Sequence, residues 1–117
     1  MEELTQQTCV PCTGKVPPVT EDEMKELNLQ IPAWQIKTQN GEFHLERAYK
    51  FPDFKTALTF TQHVGEEAEK QGHHPALLTE WGKVTVTWWT HAIKGLHRND
   101  FIMAAKTDQI ATQLPHK

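Results

Sequence analysis

Asn40-Gly41 lies between two runs of alternating residues, and this dipeptide narrows the possible folds more than any other pair in the chain. Asn and Gly most readily take the two positive-φ positions of a tight hairpin turn. Before it, Trp34-Gln35-Ile36-Lys37 alternates. Beyond it, Phe43, Leu45, Arg47 and Tyr49 should project to one side, and Glu42, His44 and Glu46 to the other. The pattern predicts a hairpin with one mostly apolar face, which another layer must cover. A second β-rich pair, Leu77 to Trp81 and Lys83 to His91, is pinched at Gly82, and Val84, Val86 and Trp88 alternate there with Thr85, Thr87 and Trp89. This predicts a second hairpin.

Helical signals fill the intervals. Thr20-Glu21-Asp22-Glu23 has capping-box spacing, predicting a short helix to about Asn28, and Ile31-Pro32 blocks its continuation. From Pro52, the residues Phe54, Ala57, Leu58, Val64 and Ala68 recur at helical intervals, with Gly72 placed to end the helix. Asn99 or Asp100 can cap a last helix whose Met103, Ile110 and Leu114 share a face, closed by Pro115. The order helix, hairpin, helix, hairpin, helix implies an α+β fold: a four-stranded antiparallel sheet with helices packed on one face. Residues 1–19 hold three of the seven prolines and no hydrophobic period, so they read as an irregular lead-in to a domain over residues 20–117.

Composition restricts function. With 117 residues, 38% of them hydrophobic, the chain suits one core that needs no metal or disulfide staple. A net charge of −3 with dispersed Lys and Arg argues against a nucleic-acid partner. No apolar stretch reaches membrane-spanning length and the N-terminus lacks a secretory pattern, so no membrane role and a cytoplasmic location are expected. Cys9-Val10-Pro11-Cys12 supplies half a zinc site or a redox pair, but no second Cys pair exists, and a reduced tail is the simpler reading.

Three of the seven histidines stand out. His73 and His74 follow the Gly72 cap and precede Pro75, which restrains their backbone, while His91 ends the last expected strand. A helix end opposite a strand end can bring three imidazoles to one pocket. With an ordinary pKa of roughly 6.5, histidines can supply both proton donor and acceptor, each worth on the order of 100- to 10,000-fold in rate. Dehydration needs both. Glu69, four residues and one helical turn before His73, can orient that ring and stabilise its charged form, or form only a solvated pair. Zinc ligation and unrelated histidines remain open on spacing alone, although adjacent histidines seldom share a ligand shell and no H-E-x-x-H occurs. Of the four tryptophans, Trp88 and Trp89 must face opposite ways, so at most one can line a given pocket.

The run Glu69-Lys70-Gln71-Gly72-His73-His74-Pro75, followed by Trp81-Gly82-Lys83-Val84-Thr85-Val86-Thr87-Trp88-Trp89-Thr90-His91 and the G-L-x-x-[RN]-D helix entry, resembles the signature of the pterin-4a-carbinolamine dehydratases. Pro32-Ala33-Trp34 and Phe51-Pro52-Asp53-Phe54 extend the resemblance over roughly residues 20–112. It implies a hydro-lyase without metal or cofactor, acting on a pterin substrate and turning 4a-hydroxytetrahydropterin into quinonoid dihydropterin for phenylalanine hydroxylase. It implies His73 and His91 as the acid–base pair, His74 as a pterin-binding partner, Glu69 as the orienting carboxylate, and Pro75, Thr90 and Trp34 as substrate-side supports. Self-association as a homodimer or homotetramer is also implied. The sequence differs from animal members at Ala76-Leu77 and Trp81, and its Gly82-to-Trp89 stretch is more like bacterial ones. The transcription-cofactor role of animal members is not carried over.

Overall fold

The computed structural model describes Leu4, residues 19–90, Ile93 and residues 95–115. Its elements run α1 (Glu21–Asn28), β1 (Gln35–Gln39), β2 (Glu42–Lys50), α2 (Phe54–Gln71), β3 (Ala76–Glu80), β4 (Lys83–Trp88) and α3 (Arg98–Thr112). The strands form one antiparallel sheet in the order β1-β2-β4-β3. The expected α+β fold is the observed one. Asn40 and Gly41 both take positive φ, 53° and 79°, as the first hairpin turn requires.

Pairing register determines which side chains meet the helices. Leu45 lies opposite Trp88, and Tyr49 opposite Val84. These four and Val86 are buried on the face that packs against α2 and α3. Thr20 caps α1 with the reciprocal Glu23 contact, and Asp53, accepting the Thr56 amide at 2.7 Å, caps α2. At its other end α2 stops at Gly72, whose φ of 67° suits glycine, and the His73 amide reaches back to the Ala68 carbonyl at 3.1 Å.

Several details depart from the sequence expectation. The buried stripe of α2 is Ala57, Phe60, Val64 and Ala68, whereas Phe54 and Leu58 are exposed. Phe60 lies against Tyr49 and Phe51, and only that side of the helix meets the sheet. His44, expected on the polar face of β2, is buried because it stacks on Trp89 at 4.2 Å, on the side of the sheet away from Trp88. The α3 cap is His97, not Asn99 or Asp100, and α3 is buried continuously from Asn99 to Ala105. Leu4 is buried as well, with its amide on the Gln30 side chain at 3.0 Å, and most of residues 1–19, with Cys9 and Cys12, fall outside the described residues.

The α2 stripe is directly testable. Phe60→Ala should cost about 3–5 kcal/mol in urea unfolding, the usual range for emptying a buried aromatic site. Leu58→Ala should stay within roughly 0.5 kcal/mol. Equal losses would show that the helix packs by another face.

Candidate active site

The Gly72 turn decides what His73 can reach. Once the chain leaves the helix in a left-handed residue, position 73 no longer lies above position 69, and the i, i+4 relation fails. His73 turns inward, with only 11% of its side chain exposed, and its Nε2 lies 2.6 Å from Asp100 Oδ1. Its ring lies parallel to Trp88, with centroids 5.6 Å apart. Glu69 instead meets His74, Oε1 to Nε2 at 3.2 Å, with both side chains largely exposed. The Glu69–His73 pairing expected from spacing is therefore replaced by an Asp100–His73 pair and a separate rim pair.

Asp100 is fully buried on the first turn of α3. Its Oδ2 accepts the Thr90 hydroxyl at 2.7 Å and the His97 amide at 2.9 Å, while Oδ1 takes His73. Three contacts from three parts of the chain satisfy a carboxylate that would otherwise be costly to bury. Because Nε2 faces Asp100, Nδ1 of His73 is the ring atom left for a reacting proton. Thr90 also pairs with Gly95. His91, next after Thr90, lies outside the described residues.

His97 is a fourth imidazole at this place. Its Nδ1 accepts the Asn99 amide at 3.0 Å. Burial foremost holds its pKa below the ordinary histidine value; Asp100 opposes this and His73 adds to it. The sequence reading used Asp100 only as a possible cap and passed over His97. The spacing His97-x-x-Asp100 is nevertheless that of a capping box with an unusual first residue.

One expected support lies elsewhere. Trp34 is buried, and its indole donates to Asp108 at 3.0 Å, two turns of α3 beyond Asp100 and so roughly 12 Å away by helix rise. Arg47, at 2.7 Å, and the Tyr49 hydroxyl bind the same Asp108 oxygen. Burial first, then the Asp108 carboxylate, pushes the Tyr49 phenol far above its usual range. A cavity of about 370 Å³ opens beside this group, between β2 and α3. Pro75 lies between His74 and the first residue of β3. Among the described residues, no group of three His, Cys, Asp or Glu side chains has a metal-holding arrangement, and no helix is long and apolar enough to cross a membrane.

A family model described as "Pterin 4 alpha carbinolamine dehydratase" matches residues 17–110, which include every described member of the His73 cluster. The chain belongs to the pterin-4a-carbinolamine dehydratase family. Membership makes it a hydro-lyase. A Gloeobacter violaceus protein named "Putative pterin-4-alpha-carbinolamine dehydratase 1" is 60% identical over 111 residues, covering 95% of this chain and 96% of that protein. A Brucella melitensis crystal structure described as a transcriptional coactivator/pterin dehydratase is 36% identical and superposes with a TM-score of 0.73, covering 80% of this chain and 98% of the other. A pterin dehydratase-like protein described as a RuBisCO assembly factor of the alpha-carboxysome shares the fold, with a TM-score of 0.58 at 18% identity over 68% of this chain and 89% of its own.

The His97 environment predicts a pH dependence of stability. A histidine whose proton affinity is lower folded than unfolded contributes fully above the unfolded pKa of roughly 6.5, and that contribution drains away as pH falls towards the folded value. The urea midpoint should therefore drop more between pH 7.5 and 5.5 in the native chain than in His97→Asn. Parallel drops would remove His97 as the cause.

Proposed function

We propose that this protein dehydrates 4a-hydroxytetrahydropterin to quinonoid dihydropterin by histidine acid–base catalysis, without a metal. The observation that carries this reading is the shared carboxylate. Asp100 binds both the His73 ring and the hydroxyl of Thr90, the residue immediately before His91, so the helix end and the strand end are tied to one point.

The chemistry requires that the C4a–O bond break, that the leaving hydroxyl gain a proton, and that N5 lose one as the C4a=N5 bond forms. His73 and His91 take these two roles. Which of them protonates the hydroxyl follows from how the pterin sits; in either assignment one ring ends a proton short and the other a proton over, and exchange with water restores both before the next turnover. Asp100 fixes the His73 ring so that Nδ1 faces the substrate, and it stabilises the charged ring when it forms. The Trp88 ring, parallel to His73, gives the imidazole a flat backing that limits its rotation. His74 and Glu69 form the exposed rim and bind the pterin edge, with Pro75 holding that segment. Trp34 acts at a distance, through Asp108 and the far half of α3.

In this reading the product returns to phenylalanine hydroxylase as recycled cofactor, in the cytoplasm, and the chain works as a homodimer or homotetramer. The likeness of the Gly82-to-Trp89 stretch to bacterial members supports the metabolic assignment.

Stopped-flow dehydration of chemically generated 4a-hydroxytetrahydropterin tests the proposal. His73→Ala and His91→Ala should each slow turnover on the order of 100- to 10,000-fold with unchanged circular dichroism. Asp100→Asn should lose on the order of 100-fold, mostly in kcat, and Glu69→Gln much less. Wild-type rates in both histidine variants would end the dehydratase reading. A larger loss at Glu69 than at Asp100 would return the orienting role to Glu69.

A further inference from the structure

His97 belongs to the His73 cluster but has no part in the proton transfers above. Helix caps are normally Ser, Thr, Asp or Asn, whose side-chain oxygens remain acceptors throughout the neutral range. An imidazole nitrogen accepts only while it is unprotonated. At the start of α3 that nitrogen is Nδ1 of His97, 3.0 Å from the Asn99 amide, so the ring proton must sit on Nε2. The other end of the same residue, its backbone amide, donates at 2.9 Å to Asp100 Oδ2. The cap acceptor and one of the three donors that hold Asp100 in place are thus parts of one residue.

We propose that His97 is a positioning residue that latches the His73–Asp100 pair according to its own protonation: neutral, it caps α3 and steadies Asp100 beneath His73; protonated at Nδ1, it gives up the cap and loosens that carboxylate. Only the consequence for turnover rests on the dehydratase reading. The latch itself rests on the hydrogen bonds.

Adding a proton at Nδ1 sets two donors, the ring N–H and the Asn99 amide, against each other, and the ring must move. It also places a cation at the positive end of the α3 dipole. Among the described residues, the titratable groups acting on the ring are Asp100, from its own helix, and His73, from the segment after α2; Thr90, from just past β4, brings only a neutral hydroxyl. Burial and His73 outweigh Asp100, so the neutral ring prevails at pH 7 and the latch opens below the ordinary histidine range. When it opens, residue 97 is no longer held at both ends. Asp100 keeps Thr90 and His73 but loses the rigidity of its third donor.

Imidazole NMR of the full-length chain without substrate, from pH 8 to 5, tests this in the native protein and in His97→Asn, whose amide oxygen caps without titrating. In the native protein the His73 ring signals should report the His97 ionisation as a separate step, absent in the variant. Exchange of the Asn99 and Asp100 amides, corrected for intrinsic chemistry, should accelerate as the pH falls only in the native protein, up to about fivefold, the factor expected for one lost cap contact. Superimposable His73 curves in the two proteins would overturn the latch. Should the Asn variant not fold, His97→Ser provides the same comparison. Dehydration measured on the same samples separates the two ideas: an inactive native protein with two-step His73 curves sinks the enzyme assignment and leaves the latch, and an active one with identical curves does the reverse.

Discussion

A carboxylate with no exposure to solvent must find its hydrogen-bond donors within the protein, and at Asp100 that requirement organises the site. The donors come from the turn after α2, the segment just past β4 and the N-terminus of α3. Loss of any one would leave buried polar capacity unmet, at about 1–3 kcal/mol for a typical group and more for a charged one. The three segments are therefore located relative to one another by a polar contact as well as by apolar packing. The geometry of the His73 cluster and the stability of the fold are coupled through the same carboxylate.

The rest of the architecture brings those segments within reach. The sheet buries Leu45, Tyr49, Val84, Val86 and Trp88 against the helices, which sets α3 across β2 and β4. Asp108 repeats the device two turns further on, collecting Trp34, Arg47 and Tyr49 on one oxygen. The two anchors fix the rotation of α3 about its axis. The α3 helix has little amphipathic character over Asn99–Ala105, where every residue is buried, so apolar patterning alone would leave that rotation poorly determined. Two aspartates eight residues apart supply what hydrophobicity does not.

Much of the fold was legible in the sequence because its signals are local. Asn40-Gly41, the Thr20 capping box and the Gly72 stop each depend on a few neighbouring residues, and each took the form its chemistry dictates. The site was legible only in part. His73 could be singled out, but its partner is 27 residues away across the structure, and no periodicity encodes that distance. The i, i+4 rule pointed to Glu69 because it presumes the helix continues, whereas the same Gly72 that was read as the helix end is what breaks the relation. The signal that would have found Asp100 was the His97-x-x-Asp100 spacing, obscured because histidine is a rare first member of a capping box.

The tryptophans show why residue type without register is weak evidence for a binding surface. Trp88 and Trp89 are adjacent on one chain, yet strand alternation sends Trp88 beneath His73, with its indole on Thr107 at 3.2 Å, and Trp89 to the opposite face, where it stacks on His44. Trp34 is committed to Asp108, and Trp81 is exposed in the turn before Gly82. One ring in four thus contacts the His73 cluster, and it does so as a backing for an imidazole rather than as an open wall for a planar ligand.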